Sequence, residues 1–226
     1  KDETLKLFNI KNEIEVIPNF IELNKSYQNQ QNKCYRTAMA KDSERIITHI
    51  SNFRKVKRIP DIIKIFYNIQ QTIPSKLMMV GDGPERPAAE ELARDLEVDM
   101  DIRFVGKQEQ MEEILAVSDV FLLPSEYESF GLAGLEAMAA RSVVISTNAG
   151  GLPEINIQGI TGFMADVGDV AAMSEFAIML LKNETKLQQM KEAAYEQACK
   201  FDIKNIIPLY EKLYSRFCRL DPSDYE

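Results

Sequence analysis

The sequence lacks the features that would point to a membrane or to a nucleic acid. No apolar run is long enough to span a bilayer and no signal-peptide pattern opens the chain, so we expect a cytoplasmic protein. Only 27 Lys and Arg stand against 35 Asp and Glu, and the net charge of −8 argues against a large nucleic-acid-binding face. The balance still leaves room for a small basic cluster that binds an anion.

Cysteine and histidine are also scarce. Cys34, Cys199 and Cys218 are scattered and odd in number, without metal-ligand or disulfide spacing, so we expect reduced thiols. The single histidine, His49, lies in an apolar run, which favours a hydrogen-bonded core residue over a catalytic one. The chain does not begin with Met, and from this we expect a piece of a longer protein.

What the sequence does have is a regular alternation of short apolar strands and helices from residue 44 onward. Nearly continuous apolar strands are typical of a sheet covered on both faces, so we predict an α/β fold with a doubly wound parallel sheet. The predicted strands are 45–51, 76–81, 101–106, 119–125, 142–147 and 161–165. The predicted helices are 60–73, 85–96, 111–118, 131–140, a short one near Pro153, 170–183, 184–201 and about 203–219.

The first 43 residues are less regular. Residues 1–10 have the pattern of the end of a helix, and EIEVIPNF (13–20) that of a short strand stopped by Pro18. Residues 22–43 are polar without a clear period, which is typical of a linker. We therefore divide the chain into an interdomain segment and linker (1–43), a ligand-binding domain (44–202), and a C-terminal helix and tail (203–226).

Doubly wound sheets bind ligands beyond the carboxyl ends of their strands, so the loops after residues 51, 81, 106, 125 and 147 should line one crevice. The first of these, SNFRKVKR (51–58), has four cations in five positions. They are suited to hold a diphosphate, although a solvated basic turn is an equal alternative.

The next two loops carry weaker signals. In GDGPE (81–85), Gly81 and Gly83 allow the backbone to approach a ligand, but a plain β-turn is the stronger interpretation. In GKQEQ (106–110), backbone groups could reach a nucleotide base. The loop after the fifth strand, TNAGGLPE (147–154), is a second candidate anion site, with Thr147 as a hydroxyl donor.

The loop after the fourth strand is the most informative. In EYESFGLAGLEAMAA, a helix begins at about Gly131, where unpaired N–H groups favour an anion. Glu128 precedes the helix and Glu136 lies on its second turn, so both carboxylates could bind paired hydroxyls of a ribose or sugar. Either glutamate alone would more simply be a helix cap or a solvated side chain.

Together these motifs resemble the nucleotide-binding half of the retaining glycosyltransferases with two facing Rossmann-like domains, the GT-B architecture of family 4 or group 1. The resemblance rests on the Glu-x7-Glu spacing from Glu128 to Glu136. GDGP, FVG and SDVFLLPS before this spacing, and GGLPE after it, fall in the family's order. It implies a Rossmann-like domain of a bacterial enzyme that binds a UDP-sugar without a metal or other cofactor. It also implies transfer of a hexosyl or N-acetylglucosaminyl group to an acceptor, for which L-malate is a candidate.

The resemblance also implies site residues. Arg54 and Lys57 would hold the donor diphosphate and Glu128 the transferred sugar, as the catalytic set. The donor-binding set comprises Asn52, Gly81, Gly83, Lys107, Ser129, Phe130, Gly131, Leu132 and Glu136, of which Glu136 would bind the ribose hydroxyls.

The sequence departs from the family pattern in three ways. Arg54 stands three residues before Lys57, where Asn52 occupies the usual arginine position five before it. Arg141 replaces a glycine suited to positive φ at a helix end. We expect the family's N-terminal acceptor domain to lie outside these residues, and this chain alone to bind nucleotide weakly and to transfer little. The acceptor, a small molecule or glycan, would bind through that domain, and a homodimer is possible.

Several alternatives stay open on the sequence alone. A glycosidase also uses two carboxylates. A non-catalytic nucleotide-binding or interaction module would share the fold, and a group 1 transferase could take another sugar and a polysaccharide or lipid acceptor. Asp99-Met100-Asp101 could hold a metal, but it precedes a strand, so a solvated turn is the stronger interpretation.

Overall fold

The computed structural model describes residues 2–8, 14–23 and 33–217. Its six strands are β1 Arg45–Ile50, β2 Ser75–Val80, β3 Ile102–Gly106, β4 Val120–Leu123, β5 Val143–Thr147 and β6 Gly162–Ala165. The described helices are α1 Asp2–Leu7, α2 Lys33–Met39, α3 Ile59–Gln70, α4 Arg86–Asp95, α5 Met111–Ala116, α6 Leu132–Ala139, α7 Leu152–Ile155, α8 Val170–Leu181, α9 Glu184–Cys199 and α10 Ile203–Phe217. Short 3-10 helices span Lys55–Lys57 and Asp99–Asp101.

All six strands pair in parallel in the order β3-β2-β1-β4-β5-β6. The chain therefore builds one half of the sheet outward from β1 and then returns to build the other half outward from β4. This confirms the predicted doubly wound sheet. Because every strand runs the same way, all the carboxyl ends lie along one edge, and the two halves separate between β1 and β4, where such sheets form a crevice.

Two apolar layers cover the two faces of this sheet. In β4, Val120 and Leu122 point into the layer formed with α3, α4 and α8, whereas Phe121 and Leu123 point into the layer with α5 and α6. Helix α9 contributes to both layers. Successive strand residues face opposite sides, so a strand buried on both faces must be apolar at almost every position. This explains why the strands were readable as continuous apolar runs.

A buried ion pair connects α9 to the amino end of β4. Lys191 Nζ donates to Asp119 Oδ1 over 2.9 Å, and both residues are buried. The other carboxylate oxygen accepts the Ile46 N–H at 3.0 Å and lies 3.6 Å from the Arg36 guanidinium. Burial alone would raise the pKa of Asp119, but Lys191, the Ile46 N–H and Arg36 outweigh it and lower that pKa.

Two predictions for the first 43 residues need correction. Residues 14–20 of the predicted strand EIEVIPNF are not a strand, and Ile21 alone forms a bridge, with Asp202. The described sheet ends at β3 and β6 and offers this segment no neighbouring strand. The predicted linker contains α2, whose Arg36 donates to Val117 O and Glu44 O at 3.0 Å. These contacts attach α2 to the sheet domain. Residues 24–32 of the predicted linker lie outside the described residues.

Arg141 keeps the turn that a glycine would make. Its φ is 59°, in the left-handed region, directly after α6. Its guanidinium lies 3.8 Å from the Tyr195 ring centroid and pairs with Glu192 at 3.0 Å. Arg141 therefore adopts the left-handed conformation that glycine usually takes after a helix. Its contacts with α9 offset the backbone strain of this conformation in a non-glycine residue.

Three further expectations from the sequence concern the cysteines, a membrane span and a metal site. Cys199 is a free, half-buried thiol, whereas the side chain of Cys34 and all of Cys218 lie outside the described residues. In the described part of the chain, no helix is long and apolar enough to cross a membrane, and no cluster of three potential metal ligands occurs. Asp101 accepts from Lys76 and Gln70 at the amino end of β3, on the edge opposite the predicted crevice.

Candidate functional site

A cleft of about 390 Å³ opens at the carboxyl edge of the sheet, beside β1 and β4. The loop after β1, the loop between β4 and α6, and the first turns of α6 form most of it. The lining residues are Asn19, Ile50, Ser51, Asn52, Lys57, Met111, Glu128, Ser129, Phe130, Gly131, Leu132, Ala133 and Glu136. Of the five loops predicted to line one crevice, those after β1 and β4 line this cleft and those after β2, β3 and β5 do not. Lys57, Glu128 and Glu136 share it.

The basic loop after β1 contains two residues with strained backbone conformations, Phe53 and Arg58. Phe53 is fully buried with φ 39°, and Arg58 has φ 52°, so both adopt the left-handed region that side chains rarely enter. The Phe53 ring packs 6.5 Å from Phe104, edge to face, which anchors the loop in the core. Such strain is found where the surrounding structure over-determines a functional loop.

The four cations of this loop have different environments. Lys57 faces the cleft. Arg58 pairs with Asp61 at 2.6 Å, which fixes it to the start of α3. Arg54 and Lys55 are exposed and form no ion pair within the described ranges. Lys57 is therefore the cation of this loop that is placed to meet a ligand in the cleft.

Lys57 joins the basic loop to the loop after β4. Its Nζ donates to Glu128 Oε1 over 2.5 Å, and the two side chains are only 20% and 12% exposed. A backbone bond runs parallel to this ion pair, because the Glu126 N–H donates to Val56 O at 2.8 Å. The two loops therefore form one wall of the cleft, with a charge of each sign at its surface.

Two pairs of glycines support these two loops from behind. A Cβ on Gly81 or Gly83 would stand about 2 Å from the carbonyl oxygens of Ser51 and Asn52. In the same way, a Cβ on Gly150 would lie 1.9 Å from Glu128 O, and one on Gly151 would lie 2.4 Å from Ser129 O. These contacts explain why glycine is needed after β2 and β5.

The start of α6 presents backbone donors to the cleft. Gly131 precedes the helix with φ 91°, and no side chain caps the first turn. The N–H groups of the first residues of α6 have no intrahelical partner, and the helix dipole places partial positive charge there. Gly131, Leu132 and Ala133 line the cleft, so an anion in it could accept these hydrogen bonds.

Glu136 lies one turn further along the same wall, half-buried. Burial raises the pKa of its carboxyl group above the usual range, and the nearby Glu112 carboxylate raises it further. Desolvation and a like charge both disfavour the ionised form. A ligand that donates hydrogen bonds to this carboxylate would offset part of that cost.

His49 lies beneath the cleft and is a core residue, as predicted. It is fully buried, with Nδ1 2.8 Å from Leu122 O and Nε2 2.7 Å from Ser51 Oγ. A carbonyl only accepts, so Nδ1 carries the proton and the Ser51 hydroxyl donates to Nε2. Burial lowers the pKa of His49 to about 4, the hydrogen bond to Leu122 opposes this, and Lys57 lowers it further.

Not every predicted site residue reaches the cleft. Arg54 and Lys107 are exposed outside it, while Gly81 and Gly83 pack behind the basic loop. Thr147 is fully buried and donates to Ser125 O at 2.6 Å, so the proposed hydroxyl donor of the loop after β5 is already used inside the protein. The roles of the other predicted residues remain predictions.

Four lining residues were not predicted from the sequence: Asn19, Ile50, Ser51 and Met111. Ser51 was within the quoted basic motif, and its position at the end of β1 was an available signal. Asn19 carries no such signal, because contacts with residues far along the chain bring its segment to the cleft, among them the backbone hydrogen bonds of Ile21 with Phe201 and Ile203.

The fold and this cleft define a Rossmann-like α/β domain with a polar binding site at the carboxyl edge of its sheet. Residues 35–197 match the family described as glycosyl transferases group 1, and the chain belongs to this family. It is 38% identical over 224 residues to N-acetyl-alpha-D-glucosaminyl L-malate synthase of Bacillus anthracis. That match covers 97% of this chain but only 58% of the relative, so the chain spans little more than half the relative's length.

Solved glycosyltransferases of the GT-B type share the fold. A mutant of S. aureus TarM, in a complex that contains UDP, has a TM-score of 0.81 at 20% identity, and the match covers 94% of this chain and 41% of TarM. Anabaena HepE in complex with UDP has a TM-score of 0.78 at 20% identity, with coverages of 89% and 57%. These neighbours confirm the Rossmann-like half of a GT-B architecture that the motifs predicted.

Proposed function

We propose that this chain is the donor-binding part of a retaining glycosyltransferase that takes N-acetylglucosamine or a related hexose from a UDP-sugar. The observation that carries the proposal is one cleft that combines Lys57, the open start of α6, Glu128 and Glu136. Cation and helix N–H groups suit a diphosphate, and two carboxylates suit the hydroxyls of a ribose and a sugar. UDP in the TarM and HepE structures supports the choice of nucleotide.

Each group would have a defined task in the transfer. The bond between the sugar's anomeric carbon and the diphosphate oxygen breaks, and the leaving UDP keeps the electron pair. An acceptor hydroxyl oxygen forms the new bond to the anomeric carbon, and its proton passes to the released diphosphate. Lys57 and the N–H groups at the start of α6 would stabilise the charge that develops there, because they are already oriented. Glu136 would bind the ribose hydroxyls and Glu128 the transferred sugar. No step of this scheme requires a metal ion.

For the acceptor we propose L-malate. The motifs ISNFRKVKR and ESFGL resemble those of the bacillithiol-pathway enzyme of that activity, and the Bacillus anthracis relative carries the corresponding name. Since that relative is much longer than this chain, we further propose that transfer needs residues beyond these 226.

Calorimetric titration with UDP, UDP-N-acetylglucosamine, GDP and ADP tests the donor assignment. We expect the uridine nucleotides to bind best. Lys57→Ala and Glu136→Ala should each weaken UDP binding roughly 10- to 100-fold, the value of a charge-assisted hydrogen bond. Lys55→Ala is the matched control, since Lys55 belongs to the same loop but does not line the cleft. It should change the dissociation constant by no more than about threefold, through screened long-range attraction.

Other outcomes would contradict the proposal. Equal binding of all four nucleotides, unaffected by Lys57→Ala, would indicate a general nucleotide-binding or interaction module. Hydrolysis of an aryl glycoside without any nucleotide would indicate a glycosidase instead.

A further inference from the structure

The Glu128 carboxylate is held at one oxygen only. Lys57 Nζ and Ser125 Oγ both donate to Oε1, at 2.5 and 2.8 Å. Oε2 has no hydrogen-bonding partner among residues 2–8, 14–23 and 33–217, although the side chain is only 12% exposed and lines the cleft. The fold therefore orients this carboxylate and leaves the second oxygen available to a ligand.

Ser125 is itself fixed in place. It is fully buried at the end of β4, and its carbonyl oxygen accepts the Thr147 hydroxyl at 2.6 Å. The backbone of Glu128 is held as well, because its carbonyl oxygen accepts the Gly151 N–H at 2.8 Å. A buried hydroxyl with one acceptor in reach has no water to compete for it, so its hydrogen bond to Glu128 is set before any ligand binds.

The two donors to Oε1 differ in what they can do once a diphosphate is present. The Lys57 ammonium is a point charge on a flexible stem, and it can share its hydrogen bonds with a phosphate oxygen. The Ser125 hydroxyl lies under the cleft wall, fully buried, and cannot follow a ligand. If Lys57 turned toward a bound diphosphate, Ser125 would be the donor that continues to hold Oε1.

We propose that Ser125 is a positioning residue for sugar recognition: by holding Oε1 of Glu128, it directs Oε2 at the hydroxyl groups of the transferred sugar. The inference rests on the proposed function, in which Glu128 meets that sugar. A carboxylate that cannot rotate presents its free oxygen at no further entropic cost, so removing the serine should affect the sugar part of the donor and spare the nucleotide part.

The test compares UDP with UDP-N-acetylglucosamine and UDP-glucose by calorimetry on the parent chain and on Ser125→Ala. In Ser125→Ala we expect the dissociation constant of UDP to stay within about twofold of the parent value. The dissociation constant of whichever UDP-sugar the parent chain binds more tightly should rise about five- to tenfold, the value of one hydrogen bond. Ser142→Ala is the matched control. Ser142 is equally buried, at the opposite edge of the sheet, and its hydroxyl has no partner in the described part of the chain.

A merely structural role for Ser125 predicts a different pattern. If the hydroxyl only stabilises the loop after β4, Ser125→Ala should lower the melting temperature and weaken UDP and UDP-sugar alike, with an unchanged ratio of the two. Should Ser125→Ala not fold, Ser125→Cys keeps the size with a weaker donor and should raise the UDP-sugar dissociation constant alone, by a smaller factor.

The outcomes separate this inference from the proposed function. If the parent chain prefers uridine nucleotides and Ser125→Ala or Ser125→Cys leaves the ratio unchanged, only the role of Ser125 is wrong. If the parent chain binds UDP-sugars no better than ADP, the proposed function fails, and the inference fails with it.

Discussion

At the scale of single residues, two titratable groups beside the cleft have pKa values displaced by burial, with opposite consequences for stability. The pKa of His49 is lowered to about 4. The contribution of the neutral His49 side chain to the free energy of unfolding is therefore complete above its unfolded pKa and is lost as the pH falls toward 4. The pKa of Glu136 is raised. The contribution of the protonated Glu136 side chain to the free energy of unfolding is therefore complete below its unfolded pKa and is lost as the pH rises.

We expect His49 to make the protein less stable in mild acid. Between pH 7 and pH 5, His49 takes up a proton in the unfolded chain but stays neutral in the folded chain. The free energy of unfolding should therefore fall by about 2 kcal/mol, at about 1.36 kcal/mol per pH unit below about 6.5. Urea unfolding at pH 7, 6 and 5 measures this slope, and His49→Gln should remove it. Glu136→Gln is the control, because Glu136 stabilises the fold as the pH falls and so opposes the effect of His49. This substitution should make the loss of stability with falling pH steeper. An unchanged slope in His49→Gln would show that another group titrates here.

At the scale of elements, the cleft is built from two loops and from the glycine turns that support them. The turn after β2 supports the basic loop, and the turn after β5 supports the segment that carries Glu128. Strand direction predicted that these four loops lie at one edge of the sheet, but the family resemblance assigned the glycines after β2 to the ligand. A glycine needed for a ligand and one needed for a neighbouring backbone look alike in a sequence, since both only require that no Cβ be present.

The pair Gly150 and Gly159 tests this supporting role. Both have positive φ, so alanine at either should cost about 1 kcal/mol of backbone strain. At Gly159 a Cβ meets nothing within 4 Å, but at Gly150 it would lie 1.9 Å from Glu128 O. We expect Gly150→Ala to cost roughly 2 kcal/mol more than Gly159→Ala in urea unfolding, as overpacking does. It should also weaken UDP binding about tenfold, because the segment around Glu128 must move.

Comparable stability and UDP affinity in the two alanine variants would mean that the loop after β4 can shift at little cost. The turn after β5 would then not be what positions Glu128, and the Lys57 and Glu126 contacts alone would hold the wall of the cleft.

At the scale of the whole molecule, the buried pair of Lys191 and Asp119 joins elements that are far apart in the chain. Through its two oxygens Asp119 connects α9, β1 and the arginine of α2. It does so at the edge of the sheet opposite the cleft, so its contribution is to stability and to the docking of α9, with no direct contact with a ligand. The buried Asp119 carboxylate would destabilise the fold without these partners, because a buried charge must be paired and hydrogen-bonded.

We expect Lys191→Met to destabilise the protein by about 3 kcal/mol, because it leaves a buried carboxylate with only the longer ion pair to Arg36, at 3.6 Å, as compensation. Thermal or urea unfolding measures this. Lys191→Met with Asp119→Asn should recover part of the loss, since no buried charge then lacks its partner. The control on the same helix is Glu192→Gln. Its carboxylate is 57% exposed and pairs with Arg141, so its loss should cost less than about 1 kcal/mol.

If Lys191→Met proved as mild as Glu192→Gln, the pair would make no net contribution and water or Arg36 would satisfy Asp119 instead. UDP affinity should be unchanged in all three folded variants, because none of these residues lines the cleft.

Much of the architecture could be predicted because it depends on local patterns. Apolar runs such as 76–81 and amphipathic stretches such as 60–73 gave elements whose bounds agree with β2 and α3 within a few residues. The bounds moved where tertiary contacts intervene. The predicted strand 119–125 is shorter as β4, which ends at Leu123 because Pro124 lacks an N–H for the ladder. The segment 14–20 failed as a strand because pairing needs a partner that no local pattern reveals.

The sequence by itself determined the order of strands and helices and the edge at which residues 128–136 must lie, because apolar periodicity and the parallel direction of strands are properties of the chain read locally. Tertiary structure alone decided that Lys57 meets Glu128, 71 positions away, that Ser125 shares the same oxygen, and that the glycines face backbone and not ligand. Those pairings depend on how two loops pack against each other, and distances between side chains on separate strands are set by the assembled sheet.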